Sequence, residues 1–250
     1  MAIVYVLAHF DDEYCAAPLI RRRAREGRDQ RFIYVADYPS PEIARRRRAE
    51  TEALLAHLGV DPAHVIQLPA GAPDGAVFRH LEPAFAALAA AVAAIGPVEG
   101  FVCTAWEGGH MDHDMCAVMT CELARARGAP VEQISLYNAK GLPAPFLHGG
   151  LPLAENGPVT RVPLSPTEWA GWMAQVRFFP SQIPVWSTLW PAMFWTYARR
   201  GFGYQRLDPA RLDERPHAGG LYYERTFGVS YAEVRAAADA FRRARDQARA

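Results

Sequence analysis

The chain has 250 residues, half of them apolar, and its 27 basic and 27 acidic residues give a formal net charge of zero. That length suffices for one sizeable hydrophobic core. The balanced charge provides no overall positive field, so we expect no nucleic-acid partner and interpret the arginines at 21–25 and 45–48 as solvated helix faces. No apolar run is long enough to span a membrane and no signal peptide opens the chain, so we expect a cytoplasmic location.

The first half of the chain alternates between apolar strands and helical segments. Strands are predicted at about 2–8, 31–36, 65–68, 98–105 and 133–137, and helices at about 13–27, 41–58, 77–95 and 112–127. Ser40 and Pro41 form a typical helix start. Five strands that alternate with helices over short connections predict an α/β fold with a mostly parallel sheet covered on both faces.

The second half is less regular, and we expect a single domain, 1–250, in which residues 139–250 extend the α/β core of residues 1–138 and cover an active site. Residues 159–163 are typical of an edge strand, Ser165 with Glu168 predicts a capping box, and residues 221–224 are strand-like. The aromatic residues between 186 and 204 favour a lid over the core, with a sugar-stacking wall beside a site as the alternative.

The cysteines show no spacing typical of a metal or redox site. Cys15, Cys103, Cys116 and Cys121 form no C-x-x-C pair. Cys103 falls in a predicted buried strand, and Cys116 and Cys121 fall in a predicted helix. We therefore expect reduced, buried thiols.

A histidine and three acids follow the first predicted strand. The segment Ala8-His9-Phe10-Asp11-Asp12-Glu13 lies where this strand ends and a helix begins. In an open parallel sheet that turn lies at the carboxyl edge, where ligands bind. Helix capping explains one aspartate there, and Glu13 is interpreted as structural. A histidine with two aspartates suits a divalent metal such as zinc.

A second cluster, Gly108-Gly109-His110-Met111-Asp112-His113-Asp114, follows the strand predicted at 98–105. Histidines three apart at a helix start face the same way, and we expect the two glycines to let the backbone approach a ligand. Alone, the cluster is also explained as two surface histidines in a glycine-flanked loop. Together, the two clusters predict that two strand ends converge on one metal site.

Other catalytic patterns fit poorly. The chain has no G-x-S-x-G elbow, and no cysteine lies in either cluster, which argues against a serine or cysteine nucleophile. The first strand–helix turn carries acids rather than G-x-G-x-x-G, so it would repel a dinucleotide pyrophosphate.

These motifs resemble those of the LmbE/PIG-L family of zinc-dependent N-deacetylases. The family's Ala-His-Pro-Asp-Asp-Glu is matched by Ala8–Glu13, and its His-x-Asp-His by His110–His113. Its Arg-x-x-Glu element is matched by Arg47 and Glu50, and Ser181-Gln182 is a weaker match. The chain departs from the family at Phe10, where proline is usual, and at Gly108, where some members carry a tyrosine that acts as an acid.

The resemblance implies a Rossmann-like three-layer sandwich with one metal ion at the carboxyl edge of the sheet. His9, Asp12 and His113 would bind zinc, with iron as a possible replacement. Asp11 would be the general base, and His110 would polarise or protonate near the tetrahedral intermediate.

The resemblance also implies a substrate, an N-acylated sugar or glycoconjugate, most often N-acetylglucosamine on a polar or lipid aglycone, with Arg47 contacting it. One alternative is an amidase acting on a thiol-sugar conjugate or a natural-product intermediate. Another is a metal- or sugar-binding protein that has lost catalysis. The sequence leaves the oligomeric state open, a homo-oligomer included.

Overall fold

The computed structural model describes residues 1–249. Its strands are β1 (Ala2–Leu7), β2 (Gln30–Tyr34), β3 (Val65–Gln67), β4 (Val98–Thr104), β5 (Val131–Ile134), β6 (Tyr137–Asn138), β7 (His148–Gly149), β8 (Val159–Val162) and β9 (Phe202–Arg206). Its α-helices are α1 (Ala17–Arg25), α2 (Pro41–Leu58), α3 (Leu81–Ile95), α4 (Met111–Arg127), α5 (Pro166–Met173), α6 (Ile183–Arg200), α7 (Tyr222–Thr226) and α8 (Tyr231–Gln247). The predicted α/β class is confirmed.

Seven strands form the main sheet in the order β3-β2-β1-β4-β5-β9-β8, and β6 pairs with β7 in a separate ribbon. The first five are parallel, whereas β9 is antiparallel to both β5 and β8. Residues of β1 alternate between two apolar clusters, one built with α3, α4 and α8 and the other with α1, α2 and α6. The sheet therefore has a buried core on each face.

The order of the strands changes direction next to β1. The chain moves from β1 to β2 and β3 on one side, and then returns to place β4 on the other side of β1. Loops that follow β1 and β4 thus leave the sheet toward opposite faces, and a crevice opens between them. The first predicted cluster lies in the loop and 3₁₀ segment after β1, and the second in the loop after β4 and the first turn of α4.

The first predicted helix begins differently from expectation. Residues Asp12–Ala16 form a 3₁₀ segment, and the α-helix starts at Ala17. Pro18 has no N–H to donate to the carbonyl of Tyr14 four residues earlier. The indole N–H of Trp172 in α5 donates to that carbonyl instead, at 2.8 Å. A side chain from the second half of the chain thereby helps to hold the turn after β1.

In the second half, the edge strand β8 and the capping box of Ser165 and Glu168 are confirmed. The strand predicted at 221–224 is wrong, because these residues open α7. The Glu224 carboxylate accepts the Leu221 N–H at 2.8 Å, which stabilises a helix start. Strand β9 was not predicted, and it extends the sheet by pairing with β5 and β8.

Most of the aromatic segment 186–204 lies in α6, which covers the core cluster shared with α1 and α2, and its last two aromatic residues, Phe202 and Tyr204, lie in β9. The buried side chains of α6 include Trp186, Leu189, Met193 and Tyr197, whereas Trp195 lies exposed on the outer side. Among residues 1–249, no helix combines the length and apolar character needed to cross a bilayer.

Candidate active site

The loops that follow β1 and β4 meet at one cavity of about 210 Å³. All six residues singled out from the sequence line this cavity: His9, Asp11, Asp12, Arg47, His110 and His113. The three imidazole rings lie close together, with centroids separated by 4.8 to 5.3 Å. Residues about a hundred positions apart thus converge, as the two clusters predict.

Asp12 and His113 face each other without a hydrogen bond between them. Oδ2 of Asp12 accepts the backbone N–H groups of Ala8 and His9, both at 2.9 Å. Its Oδ1 lies 3.1 Å from Nε2 of His113 and 4.0 Å from Nδ1 of His9. Within residues 1–249, both ring nitrogens of buried His113 lack a hydrogen-bond partner. Two ligands of a tetrahedral zinc ion lie roughly 3.3 Å apart for bond lengths of about 2.0–2.1 Å, so these atoms suit a shared ion.

The orientation of His9 is fixed by two carboxylates. Its Nε2 lies 3.1 Å from Oδ1 of Asp74 and 3.3 Å from Oδ2 of Asp112. Asp112 also accepts the backbone N–H groups of Gly75 and Val77. A proton on Nε2 satisfies these carboxylates, which leaves Nδ1 of His9 free to face Asp12 and bind a metal.

The same carboxylates control the charge of His9. Burial lowers the pKa of this imidazole, but the negative charges of Asp74, Asp112 and Asp12 outweigh burial and raise the pKa well above its ordinary value. The raised pKa favours the imidazolium form of His9, in which Nδ1 as well as Nε2 carries a proton, so a metal ion that binds Nδ1 would have to displace that proton.

The backbone conformation and the surroundings of Asp11 suit a general base with a fixed position. It is the one residue other than glycine in residues 1–249 with a positive φ, +123°, a backbone geometry that costs energy. Its N–H donates to Oε2 of Glu13, which also accepts the hydroxyl of Tyr34. Burial, together with the carboxylates of Asp12 and Glu13, raises the pKa of Asp11 well above its ordinary value. Glu13 is thus structural, as interpreted.

Phe10 secures the loop in which the family usually has proline. Its ring is fully buried and stacks on Tyr38 with centroids 5.5 Å apart. Its N–H, which proline lacks, donates to the Tyr38 hydroxyl at 2.6 Å. The loop therefore gains a hydrogen bond where it loses the stiffness of proline.

His110 presents a neutral donor to the cavity. Its Nδ1 accepts the N–H of Asp112 at 3.2 Å, so the proton of the neutral ring resides on Nε2. Burial is the main cause that lowers the pKa of His110 to about 3, and the neighbouring imidazoles of His9 and His113 add to it. A neutral imidazole N–H can stabilise an oxygen that becomes negative.

Asp74 is a residue of the site that the sequence did not indicate. It lies in the loop between β3 and α3, where proline, aspartate and glycine predict only a turn. Donor atoms of His9, Asp74, His110 and Asp112 lie within 4.8 Å of one another, as do those of His9, His110 and His113. The cavity therefore offers more metal-ligating atoms than the three implied by the motifs.

A buried carboxylate, Glu107, shapes the opposite side of the cavity. It accepts hydrogen bonds from the backbone N–H groups of Leu136 and Tyr137, and from the side chains of Ser135 and Asn138. Leu136 and Tyr137 both line the cavity. Glu107 thus positions this wall, a role that no motif of the sequence indicates.

The paired glycines allow contacts within the protein. A Cβ on Gly109 would lie 2.0 Å from the carbonyl oxygen of Tyr137, and one on Gly108 would lie 2.6 Å from Leu221. Gly108 also has a φ of +70°. The contacts that require these glycines are therefore with the chain itself rather than with a ligand, and Leu221 occupies the space beside Gly108.

The remaining wall is largely apolar, and three of its six residues come from α6. The residues that complete the lining are Cys15, Gln182, Val185, Trp186, Leu189 and Phe227. At the other side, the guanidinium of Arg47 lies 4.9 Å from the ring centre of Tyr38. Arg47 forms no ion pair with the described residues, so its donors are available.

The chain is similar in sequence to one protein family and in fold to several solved structures. The sequence model of the PIG-L family, described as GlcNAc-PI de-N-acetylase, matches residues 4–124. That range contains Arg47 and both candidate metal-binding motifs, Ala8–Glu13 and His110–His113. A search of curated proteins found no match.

Several solved structures share the fold. A deacetylase triple mutant from the teicoplanin biosynthetic pathway aligns with a TM-score of 0.62 at 18% identity, covering 83% of this chain and 98% of its own. The zinc-inhibited form of teicoplanin deacetylase Orf2 gives 0.56 at 17%, covering 83% and 99%. The A40926 pseudoaglycone deacetylase Dbv21 gives 0.57 at 17%, covering 82% and 96%. At these identities, the likeness is one of fold.

Proposed function

Since the chain belongs to the PIG-L family, we propose that it is a metal-dependent hydrolase that removes the N-acyl group of an amino sugar or glycoconjugate. The observation that carries the proposal is that Oδ1 of Asp12, beside Asp11, lies 3.1 Å from Nε2 of His113 and 4.0 Å from Nδ1 of His9. Two neutral imidazoles and one carboxylate are the ligand set of a catalytic zinc site.

The donor set fits zinc on chemical grounds. The buried Nδ1 of His113 has no hydrogen-bond partner among the described residues, and its Nε2 faces the Asp12 carboxylate at 3.1 Å without hydrogen-bond geometry, an arrangement that a shared metal ion would satisfy. The Nε2 contacts of His9 resemble the carboxylate–histidine pairs that orient metal ligands. Iron is the second metal to be tested, because imidazole and carboxylate also suit it.

Bound zinc would supply positive charge that lowers the pKa of water from 15.7 to roughly 7 and polarises the acyl carbonyl. Asp11 takes the proton from the attacking water, a role that suits a buried carboxylate of raised pKa. The Nε2–H of His110 donates to the oxyanion that develops on the carbonyl, an effect worth about 3 kcal/mol at comparable sites. Asp11 then returns its proton to the departing amine, so the products are a carboxylic acid and a free amine.

The space beside Gly108 determines whether a tyrosine could reach the cavity from there and donate a proton to the leaving amine. Leu221 fills the position next to this glycine, so no tyrosine equivalent enters from there. Asp11 and His110 are therefore the groups assigned to proton transfer in this proposal.

A metal-dependent amine-release assay tests the function. We expect purified protein to contain about one zinc per chain and to release amine from methyl N-acetylglucosaminide. A chelator should abolish turnover, and one equivalent of zinc should restore it. Zinc should be titrated, because a neighbour of this fold has a zinc-inhibited form. Full activity of metal-free protein would contradict the proposal.

A natural-product glycoconjugate is the second candidate substrate. The fold neighbours Orf2 and Dbv21 are named as deacetylases of teicoplanin and of the A40926 pseudoaglycone. A panel containing N-acylated glycopeptides separates the two substrate classes. A chain that binds metal yet turns over neither class would instead be a binding protein.

A further inference from the structure

Gln182 is an unused polar side chain in the wall of the cavity. It ends the 3₁₀ segment Pro180–Gln182 directly before α6 and is only 3% exposed. It lines the same cavity as His9 and Asp11. No hydrogen bond joins its side-chain amide to a described residue, and neither amide atom is among the fully enclosed polar atoms without a partner. The amide therefore opens onto the cavity, where a ligand can bind it in place of water.

The turn that carries Gln182 is held rigidly from α2. Glu50 accepts the N–H of Ser181 at 2.9 Å and its hydroxyl at 2.5 Å. The Glu50 side chain is nearly buried. This double contact fixes the backbone one residue before Gln182, as a recognition group requires.

Glu50 also links Gln182 to Arg47. Arg47 lies three residues before Glu50, on the same side of α2, and lines the same cavity. Arg47 offers donors only, whereas the amide of Gln182 offers a donor and an acceptor. A hydroxyl group matches this combination because it accepts and donates, whereas a carboxylate leaves the Gln182 oxygen without a donor.

The size of the cavity restricts where that hydroxyl can lie. At about 210 Å³, it is smaller than the roughly 300–1,000 Å³ of pockets that enclose drug-sized ligands. It therefore encloses only the part of a substrate around the scissile amide.

From these contacts we propose that Gln182 is a specificity-determining residue that binds a hydroxyl on the carbon next to the acylated nitrogen of the substrate. This inference rests on the proposed function. It narrows the substrate class to vicinal hydroxy-amides, with Arg47 as the second donor.

Matched substrates and variants test this assignment. Amine release would be measured for methyl N-acetylglucosaminide, its 3-deoxy analogue and its 6-deoxy analogue. The 3-deoxy compound lacks the adjacent hydroxyl and the 6-deoxy compound lacks a remote one. The variants are Gln182→Leu and, as control, Gln175→Leu, which removes an equally buried glutamine outside this cavity.

We expect Gln182→Leu to lower kcat/KM about 10- to 100-fold for the parent and the 6-deoxy substrate, but less than threefold for the 3-deoxy substrate. Gln175→Leu should change all three alike and keep the wild-type preference. Equal losses on every substrate would show a structural role and overturn the inference, as would no loss on any. If wild-type protein with zinc turns over none of them but releases amine from other N-acyl compounds, the hydroxyl assignment fails while the hydrolase proposal stands. Absence of all turnover ends both.

Discussion

The two halves of the chain contribute different kinds of groups to one cavity. Residues 1–138 provide every histidine, aspartate and arginine that lines it, whereas residues 139–249 provide Gln182, three apolar residues of α6 and Phe227. The difference extends to what holds them. The groups of the first half are fixed by buried carboxylates such as Asp112 and Glu107, and α6 is held mainly by apolar contacts.

The side chains proposed for catalysis are thus held in place more precisely than the apolar wall. A catalytic group displaced by a fraction of an ångström loses its function, whereas an apolar wall tolerates change at modest cost. Substitutions in the first half should therefore act on kcat and metal binding, and those in α6 on KM.

Among substitutions in residues 1–138, we expect Asp11→Asn to have the largest effect on turnover. The amide keeps the shape of the side chain but cannot accept the proton of water, so we expect kcat to fall about 10²- to 10⁴-fold. Metal content by elemental analysis should stay unchanged, because the proposed ligands are untouched.

His113→Ala is the companion variant, and it should lose both metal and turnover. Near-normal turnover of Asp11→Asn would show that another group is the base. Retention of zinc by His113→Ala would favour the alternative ligand set of His9, Asp74, His110 and Asp112.

The carboxylates behind His9 come next in expected effect. Asp112→Asn should weaken metal affinity about 10- to 100-fold, because it loosens the orientation of His9. Asp74→Asn should cost less, since the Asp74 side chain is 34% exposed and that of Asp112 is fully buried. Competition with a chelator measures both affinities. A larger loss for Asp74→Asn would indicate that Asp74 itself is a ligand.

Asp112 and Asp74 also show which residues of the site can be predicted from the sequence and which cannot. Asp112 belongs to a motif beside an apolar strand, so its place in the site follows from the order of elements. Asp74 contacts His9 across 65 positions of sequence, from a loop whose composition indicates only a turn. Such a contact depends on the tertiary arrangement of two loops, which no local pattern records.

The same distinction applies to the fold. The parallel strands are predictable because each is an apolar run of strand length between helices. Residues 221–224 looked like a strand because tyrosine favours sheets, but the contact of Glu224 with the Leu221 N–H starts a helix there. Short aromatic segments are decided by such single contacts rather than by propensity.

Metal affinity should also depend on pH. Because the carboxylates around His9 raise its pKa well above the ordinary value, the metal competes with a proton throughout the neutral range. Affinity should therefore rise about tenfold per pH unit up to the pKa of His9 in the metal-free protein. Chelator competition at three pH values measures the slope. In Asp74→Asn the pKa of His9 falls, so the rise should end at lower pH, and an affinity independent of pH would show that His9 is not a ligand.

A substitution in the apolar wall from α6 should have a smaller effect, and it should change KM rather than kcat. Val185 lines the cavity and is 47% exposed, so Val185→Ala should raise KM about fivefold, for roughly 1 kcal/mol of lost apolar contact, and leave kcat unchanged. Ile183→Ala is the matched control, because Ile183 lies on the same helix, is 63% exposed and does not line the cavity. A fall in kcat with Val185→Ala would erase the functional division between the two halves.

The smallest expected effect concerns the strain stored at Asp11. Both Asp11→Ala and Asp11→Gly remove the carboxylate and should be inactive, but only glycine accepts a φ of +123° without steric conflict. Relief of about 1–3 kcal/mol of strain, less the flexibility that glycine adds to the unfolded chain, leaves Asp11→Gly more stable than Asp11→Ala by about 1 kcal/mol. Thermal unfolding should show this as a Tm difference of about 2–4 °C. Equal Tm values would mean that the backbone relaxes once the carboxylate is gone, in which case the strain arises from the crowding of Asp11 with Asp12 and Glu13 rather than from the turn after β1.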